Sequence, residues 1–429
     1  MIRCLPKLGA TLLLAVLGGL LFASSGLYNV AASAGHWPVT SWLLHFSMRQ
    51  SVEMHSLMLD APPLDDPALI ERGAGHYDGG CLPCHGAPGS PGNRIPNHML
   101  PPPPYLPTGM KGWSAEELFR IVKHGIKYTG MPAWPAPSRD DEVWAVTAFL
   151  QRLPDLSAED YLTLAKGPRA SPAEPPIPES PGELFTLSDA TLIATCARCH
   201  GLDGQGRRSG AFPRLDIQSA DYLERALAEY ADGIRPSGIM QPIAAALEEG
   251  AMQRLAAHYA ADGVSAEGGP AGDDDAAGQE LVDRGLQIAA IGIPERQVPP
   301  CSACHGLEDG PRNTLYPALN GQYRNFLHRQ LRLWKEGKRG GSEYAGVMRA
   351  IVANLTEAEM AAAAAYYASL PPPERAAGRR RTAAGETSPY SGTLGRPIAA
   401  TGLSGLAAAA AGPMLPVESQ EAGHDDRQP

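Results

Sequence analysis

The stretch of sequence that decides the fold reads Cys81-Leu82-Pro83-Cys84-His85-Gly86. The same Cys-x-x-Cys-His-Gly pattern recurs at residues 196–201 and 301–306. Two thiols three residues apart lie on one side of a helical turn, where both can reach the vinyl edge of one porphyrin, and the adjacent imidazole then faces the iron. We therefore expect three covalently bound haem c groups. The expected tethers are Cys81, Cys84, Cys196, Cys199, Cys301 and Cys304, and the expected first iron ligands are His85, His200 and His305.

Zinc is the alternative occupant of paired cysteines. A structural zinc site usually takes four ligands from two such pairs, whereas each pair here stands alone, about a hundred residues from the next. Three copies with the same trailing His-Gly favour haem. Six of the seven cysteines lie in the motifs, so the sequence predicts no structural disulfide, and we interpret Cys4 as incidental.

The composition excludes one broad function and limits the domain type. A formal net charge of −10 argues against nucleic-acid binding as the main role. The 429 residues include 47 glycines and 41 prolines, which predicts loop-rich domains. Domains of about 90 residues bury little apolar surface alone. Each would therefore need a large apolar cofactor around which a few short helices can pack.

The chain is a threefold repeat that extends well beyond the attachment motif. Each motif is followed by a Pro-x-Leu element, a short amphipathic segment, a methionine and a closing apolar helix. We name the repeats copy one (residues 62–167), copy two (183–264) and copy three (277–372). The Pro-x-Leu elements begin at Pro104, Pro213 and Pro317, and the closing helices cover residues 143–150, 252–259 and 360–370. Each of these prolines is either a turn residue before a helix or the carbonyl that accepts the second N–H of the motif histidine.

A methionine occupies a matching register in every copy. A single Met in an apolar stretch is usually core filler, but three in matching positions indicate a shared role. A thioether is a soft, neutral ligand that favours Fe(II) and raises the reduction potential. The expected second iron ligands are Met131, Met240 and Met348, because Met99, Met110, Met252 and Met360 lack counterparts across all three copies. His/Met ligation fills both axial positions and leaves no open site for a substrate.

With these residues the chain resembles the class I cytochrome c family three times over, across residues 65–370. The resemblance implies an all-α fold, in which the first and last helices of each domain cross beside the haem, and a role in one-electron transfer. Copies two and three are similar to the halves of a dihaem cytochrome c4 through residues 199–206 and 317–323. Copy one, through residues 130–134, is similar to the cytochrome domains attached to membrane oxidases and dehydrogenases.

The resemblance also predicts a glycine on the helix before each motif. Copy one offers Gly73 or Gly75 and copy three offers Gly285, whereas copy two has no clear equivalent. The family pattern therefore does not define the helix crossing of copy two.

Copy three carries a basic segment after its Pro-x-Leu element. Its members are Arg324, Arg329, Arg332, Lys335, Lys338 and Arg339. Such a segment could dock an acidic partner or face the haem propionates. The favoured interpretation is a solvated helix face.

The N-terminal segment predicts export from the cytoplasm. Two basic residues precede residues 8–30, an uncharged run that is long enough to span a bilayer. The segment is either a signal peptide cut after residues 32–34 or an uncleaved anchor. Its length, and the aromatic residues Trp37 and Trp42 that follow it, favour the anchor. The positive-inside rule then puts the haem motifs on the periplasmic side of the bacterial inner membrane.

The predicted architecture is all-α, with three tandem class I cytochrome c domains between a membrane anchor and a disordered tail. The segments are a signal or membrane anchor (1–34), a juxtamembrane segment (35–61), cytochrome domain one (62–167), a Pro-rich linker (168–182), domain two (183–264), a linker (265–276), domain three (277–372) and a low-complexity tail (373–429).

The predicted function is electron carriage rather than catalysis. We expect a membrane-anchored trihaem cytochrome that transfers electrons between a dehydrogenase or quinol oxidoreductase and a terminal oxidase. The alternative is the cytochrome subunit of a membrane-bound flavin- or quinoprotein dehydrogenase, because three haem domains on one chain are similar to the trihaem subunit of alcohol and gluconate dehydrogenases. A trihaem enzyme for small inorganic substrates would need a displaceable iron ligand.

Overall fold

The computed structural model describes residues 5–110, 112–167, 189–261, 276–307, 311, 313–341 and 344–373. The Pro-rich linker, residues 265–275 of the second linker, the tail from residue 374 onward and Cys4 lie outside these ranges. In the described part of the chain every regular element is a helix, accompanied by short 3-10 turns and two isolated bridges. The prediction of an all-α fold is confirmed.

The helices follow the order that the repeat predicts. Two helices precede copy one: α1 (Leu5–Ser24) and α2 (Pro38–Ser56). Copy one contains α3 (Pro67–Gly80), α4 (Leu82–His85), α5 (Leu106–Gly109), α6 (Ala115–His124), α7 (Asp140–Arg152) and α8 (Ala158–Lys166). Copy two contains α9 (Asp189–His200), α10 (Ala220–Ala231), α11 (Met240–Ala245) and α12 (Glu249–Ala261). Copy three contains α13 (Ala276–Ala290), α14 (Ser302–His305), α15 (Arg324–Lys335), α16 (Ala345–Ala353) and α17 (Glu357–Ser369).

Capping boxes fix the start of two of these helices. The hydroxyl of Ser114 accepts a bond from the Glu117 amide at 3.2 Å, and the Glu117 carboxylate accepts one from the Ser114 amide at 2.8 Å. Thr356 and Glu359 make the same pair of bonds at the start of α17. Because the first turn of a helix has no intrahelical partners for its N–H groups, these side chains set where α6 and α17 begin.

A glycine lets the first helix of copies one and three cross the closing helix of the repeat, α7 or α17, at close range. A Cβ on Gly73 of α3 would overlap the carbonyl oxygen of Ala145 on α7, and one on Gly285 of α13 would overlap that of Ala362 on α17. The crossing in copy one therefore uses Gly73. Gly75 faces copy two instead, because a Cβ there would lie 2.8 Å from Cζ of Phe212.

Helix α2 packs against copy one through its C-terminal half. Val52 is buried, the Ser56 hydroxyl donates to the carbonyl of Glu116 at 3.5 Å, and Arg49 lies 4.4 Å from the ring centroid of Trp113. Its N-terminal half exposes large apolar side chains, including the stacked ring pair of Trp42 and Phe46. Within the described residues, no helix combines the length and the apolar character that crossing a membrane requires.

Candidate haem sites

The last glycine of each motif turns the chain away from the preceding histidine. Gly86, Gly201 and Gly306 have φ values of 69°, 76° and 71°, a region that side chains strongly disfavour. The helix that carries the motif therefore ends at the histidine. In copies one and three a tyrosine hydroxyl fastens this turn, since Tyr77 donates to the Gly86 carbonyl at 2.6 Å and Tyr367 to that of Gly306 at 3.0 Å.

The Pro-x-Leu elements lie beside the motif histidines in all three copies. The distances from Nδ1 to the proline carbonyl are 2.9 Å for His85 and Pro104, 3.4 Å for His200 and Pro213, and 3.0 Å for His305 and Pro317. This confirms the carbonyl role, one of the two alternatives that the sequence left open. With Nδ1–H donating to a carbonyl, Nε2 keeps its lone pair for a metal ion.

Burial favours the neutral forms of the three motif imidazoles and of the first thiol of each motif. It lowers the pKa of His85, His200 and His305 below the usual value, while the proline carbonyl bond acts in the opposite direction. It raises the pKa of Cys81 and Cys196 to about 12. None of the six motif cysteines is paired in a disulfide. Among the described residues, no group of three or more His, Cys, Asp or Glu side chains is placed to hold a metal ion.

One cavity of about 510 Å³ joins the predicted sites of copies two and three. Its walls contain both motif cysteines, the motif histidine and the predicted methionine of each copy: Cys196, Cys199, His200 and Met240, with Cys301, Cys304, His305 and Met348. Most of the remaining lining is apolar, including Phe212, Leu255 and Val352. A mainly apolar cavity with a thiol pair and an imidazole at each end fits the chemistry of haem c.

The three predicted methionines are half-buried and lie in different local settings. Met131 lies in a loop, where its amide donates to Thr129 Oγ1 at 3.1 Å and its carbonyl accepts from the Ile126 amide at 3.3 Å. Met240 begins α11, and Met348 lies in α16. Met110, which the sequence argument set aside, is buried in the core of copy one.

Copies two and three pack together through a reciprocal pair of glutamines. The Gln218 side chain bonds both backbone groups of Ala318, with each distance 2.9 Å. The Gln322 side chain bonds both backbone groups of Arg214, with each distance 3.0 Å. Ala318 and Arg214 are the middle residues of the Pro-x-Leu elements. Each element therefore holds its own histidine and also receives a glutamine from the neighbouring copy.

Copy one contacts copy two directly at the second attachment motif. The guanidinium of Arg198, between the two motif cysteines, pairs with Asp78 of α3, which also accepts a bond from Tyr161 at 2.8 Å. Arg207 pairs with Glu71 at 2.8 Å and donates to carbonyls in the last turn of α8. A guanidinium at a helix C-terminus satisfies carbonyls that have no helical partner.

The basic segment of copy three is partly an internal docking surface, so a fully solvated face is the wrong interpretation. Arg329 Nε lies 3.8 Å from a carboxylate oxygen of Asp141, and Lys338 Nζ lies 3.6 Å from one of Asp140, both in copy one. Burial, followed by the charge of Arg72, lowers the pKa of Arg329 to about 9. By contrast, Arg332 is exposed, as the sequence predicts.

Arginines from all three copies enter the wall of the shared cavity. They are Arg72 and Arg139 from copy one, Arg214, Arg225 and Arg235 from copy two, and Arg329 and Arg339 from copy three. Arg339 stacks on Trp334 with its guanidinium carbon 4.5 Å from the ring centroid. Burial, followed by the charge of Arg235, lowers the pKa of Arg339 to about 10. Several of these cations are paired with carboxylates, as Arg139 is with Glu142 at 3.0 Å and Arg329 is with Asp141 at 3.8 Å.

The inter-copy residues were missed by sequence reasoning for different reasons. Gln218 and Gln322 each lie five residues after the proline of a Pro-x-Leu element, so their shared position in the repeat could have identified them. Arg198 and Asp78 lack an equivalent in the other copies, and nothing in the sequence distinguished them from ordinary surface charges. Glu142 corresponds in position to Glu359 of copy three, but Glu359 pairs with arginines of its own copy, so the repeat did not indicate a contact between copies.

Two family models and several known proteins are similar to parts of this chain. The family model described as cytochrome c oxidase, cbb3-type, subunit III matches residues 68–150, and the model described as cytochrome c matches residues 189–262. The thiosulfate dehydrogenase electron acceptor of Stutzerimonas stutzeri (strain A1501) is 36% identical over 160 residues, which are 37% of this chain and 71% of the relative. Cytochrome c4 of Thiocapsa roseopersicina is 29% identical over 176 residues, 41% of this chain and 86% of the relative. A solved structure of Acidithiobacillus ferrooxidans cytochrome c4 is 31% identical, covers 41% of this chain and 98% of that chain, and has a TM-score of 0.35.

Proposed function

Because the chain belongs to the class I c-type cytochromes, we propose that it is a trihaem electron carrier with one His/Met site in each copy. The observation that carries the proposal is the shared cavity, whose walls contain the motif and the downstream methionine of both copy two and copy three. The proposed ligand pairs are His85 with Met131, His200 with Met240, and His305 with Met348.

The protein's own residues would hold and tune each site. Covalently bound haem would supply an iron that accepts and donates one electron. The cysteines would fix its edge, and the proline carbonyls orient the histidines and increase their basicity. The methionines would close the second axial position, while the apolar walls exclude water. Such a site transfers electrons without binding a substrate at the metal.

The contacts between the copies support a relay in chain order. A Cβ on Gly75 of copy one would lie 3.3 Å from Cys199 Sγ, so copy one touches the second attachment motif. The predicted sites of copies two and three share one cavity. Copy three also contacts copy one, but through Asp140 and Asp141 of α7 and not through an attachment motif. Because the predicted site of copy two is the one that copy one touches and that shares a cavity with copy three, we place copy two between them on the electron path.

We further propose that the electron donor is a thiosulfate dehydrogenase or a related dehydrogenase and that the acceptor is a terminal oxidase. The donor follows from the similarity to proteins named as thiosulfate dehydrogenase electron acceptors. The acceptor follows from the match of copy one to a subunit of a cbb3-type oxidase. Copy one would then face the oxidase, and copy three would lie at the donor end of the relay.

Export and membrane attachment through the N-terminal segment belong to the same proposal. The exposed apolar side chains of α1, such as Leu12, Leu14 and Leu21, support contact with lipid. The packing of α2 on copy one would keep that copy close to the bilayer. Washing isolated membranes with alkaline carbonate tests this attachment, since an anchored chain stays in the pellet.

The decisive experiment uses the mature, full-length chain. We expect a haemochrome assay to give three haems per chain, and the fully reduced protein to bind no carbon monoxide before denaturation. Stoichiometric carbon monoxide binding would refute the six-coordinate sites. Purified thiosulfate dehydrogenase with thiosulfate should reduce the chain, whereas thiosulfate alone should not. Purification only as a tight complex with a flavin- or quinoprotein dehydrogenase would favour the subunit alternative.

A further inference from the structure

The loops that carry Met131 and Met240 meet at the boundary between copies one and two. Trp134, three residues after Met131, is buried against Gly238, two residues before Met240. A Cβ on Gly238 would overlap Nε1 of the Trp134 indole and lie 2.8 Å from Cζ2. The backbone of one methionine loop therefore rests on the aromatic ring of the other.

A single buried carboxylate joins these two loops. Glu142 of α7 is 4% exposed and accepts a hydrogen bond from Trp134 Nε1 at 3.1 Å. It also accepts bonds from the Ser237 hydroxyl at 2.7 Å and the Gly238 amide at 2.6 Å, both in copy two. Arg139 balances its charge at 3.0 Å. A carboxylate that is buried and fully paired is held in one geometry, because losing any partner would leave a buried polar group unsatisfied.

Ser237 links the Glu142 carboxylate to the backbone of Met240. Its oxygen accepts a bond from the Met240 amide at 3.1 Å while its hydroxyl donates to Glu142. Arg139 adds a second link, since it donates to the carbonyl of Pro236 at 2.7 Å. The start of α11, and with it the Met240 side chain, is therefore fixed by two residues of copy one.

We propose that Glu142 is a positioning residue for two haem sites, holding Met131 through Trp134 and Met240 through Ser237. The inference rests on the proposed role of these methionines as iron ligands. Its consequence is that Met ligation in copy two depends on the docking of copy one. An independent copy two would lack two of the groups that hold its axial ligand.

The test follows the red absorption band of Met-ligated Fe(III) haem in the full-length holoprotein. Glu142→Ala should lower this band by about two thirds and allow carbon monoxide to bind at two haems. Ser237→Ala removes the hydroxyl that joins Glu142 to the Met240 amide, leaves the bonds of Glu142 to Trp134 and Gly238, and should lower the band by about one third. Ser237→Thr restores a hydroxyl and should return the band. Unchanged bands in Glu142→Ala and Ser237→Ala would overturn the inference.

Two controls distinguish this inference from a failure of the proposed Met240 ligation and from a general weakening of the docking between the copies. Met240→Ala should remove the copy-two share of the band, and an unchanged band there would refute Met240 ligation itself. Asp140→Asn alters the neighbouring acidic residue of α7, which pairs with Lys123 and Lys338 instead. Its band should stay intact. A loss equal to that of Glu142→Ala would show that any weakening of the docked state suffices, which contradicts a specific role for Glu142.

Discussion

The guanidinium of Arg198, between the two cysteines of the second attachment motif, pairs with Asp78 in the first copy. Asp78 is fully buried. A buried ion pair contributes little net stability compared with an apolar pair, but removal of one partner leaves an uncompensated charge. This ion pair therefore holds copy one against the haem motif of copy two, and removal of either partner alone would destabilise the contact.

Asp78→Asn is expected to destabilise the docking of copy one on copy two by about 3–5 kcal/mol. Amide hydrogen exchange in α3 and α9 of the holoprotein measures the effect. The exposed pair of Arg332 and Glu336 supplies the control, and Arg332→Gln should cost less than about 1 kcal/mol. The double variant Asp78→Asn with Arg198→Met should recover part of the loss. Equal protection of α3 and α9 in Asp78→Asn and Arg332→Gln would contradict a structural role for the buried pair.

The close helix crossing in copy one predicts opposite effects on stability for alanine substitutions at two glycines of α3. Gly73→Ala places a Cβ on the carbonyl of Ala145 and should cost about 1–3 kcal/mol through overpacking. Gly79→Ala meets no atom within 4 Å, so it should stabilise α3 by about 0.5–1 kcal/mol. Thermal unfolding of the two holoproteins gives the sign. A Gly73→Ala protein as stable as Gly79→Ala would show that α3 and α7 do not cross at this point.

The features that recur in every copy could be predicted from the sequence. The helices, the turn after each histidine and the proline carbonyl on His85 all depend on residues close in sequence, and three copies reinforced each pattern. The docking of the copies depends on residues that occur once, such as Arg198 and Asp78. Gly75 illustrates the limit. Its position suggested a helix crossing, but the partner that it approaches, Phe212, lies more than a hundred residues away.

The reciprocal glutamines predict that substitution of either one changes amide hydrogen exchange in the other copy. Gln218→Ala should speed hydrogen exchange at the Ala318 amide, and Gln322→Ala should do so at the Arg214 amide, because each loses its buried acceptor at a cost of about 1–3 kcal/mol. Gln253 is an exposed glutamine of copy two that contacts Glu224. Gln253→Ala should change neither amide. Faster exchange only within the mutated copy would contradict a bridge between copies two and three.

The burial of Arg339 predicts that Arg339→Met has opposite effects on the stability of the chain with and without haem. Burial, followed by the charge of Arg235, lowers the pKa of Arg339 to about 10, so the folded chain holds the charged guanidinium less readily than the unfolded chain does. The contribution to stability is largest above the ordinary pKa of arginine and is lost as the pH falls through about 10. At pH 7 the charged guanidinium therefore opposes folding unless an anion faces it. Propionates of a bound haem would be such anions.

Arg339→Met should therefore stabilise the chain when haem is absent and destabilise it when haem is attached. In the holoprotein it should also lower the reduction potential of a neighbouring site, since removal of a positive charge worth about 1 kcal/mol corresponds to about 40 mV for a one-electron couple. Spectroelectrochemical titration and thermal unfolding measure the two effects. Arg332→Met is the matched control, because Arg332 belongs to the same basic segment but is exposed. Unchanged potentials, with equal destabilisation of both forms by Arg339→Met, would show that this guanidinium packs on Trp334 without facing the haem.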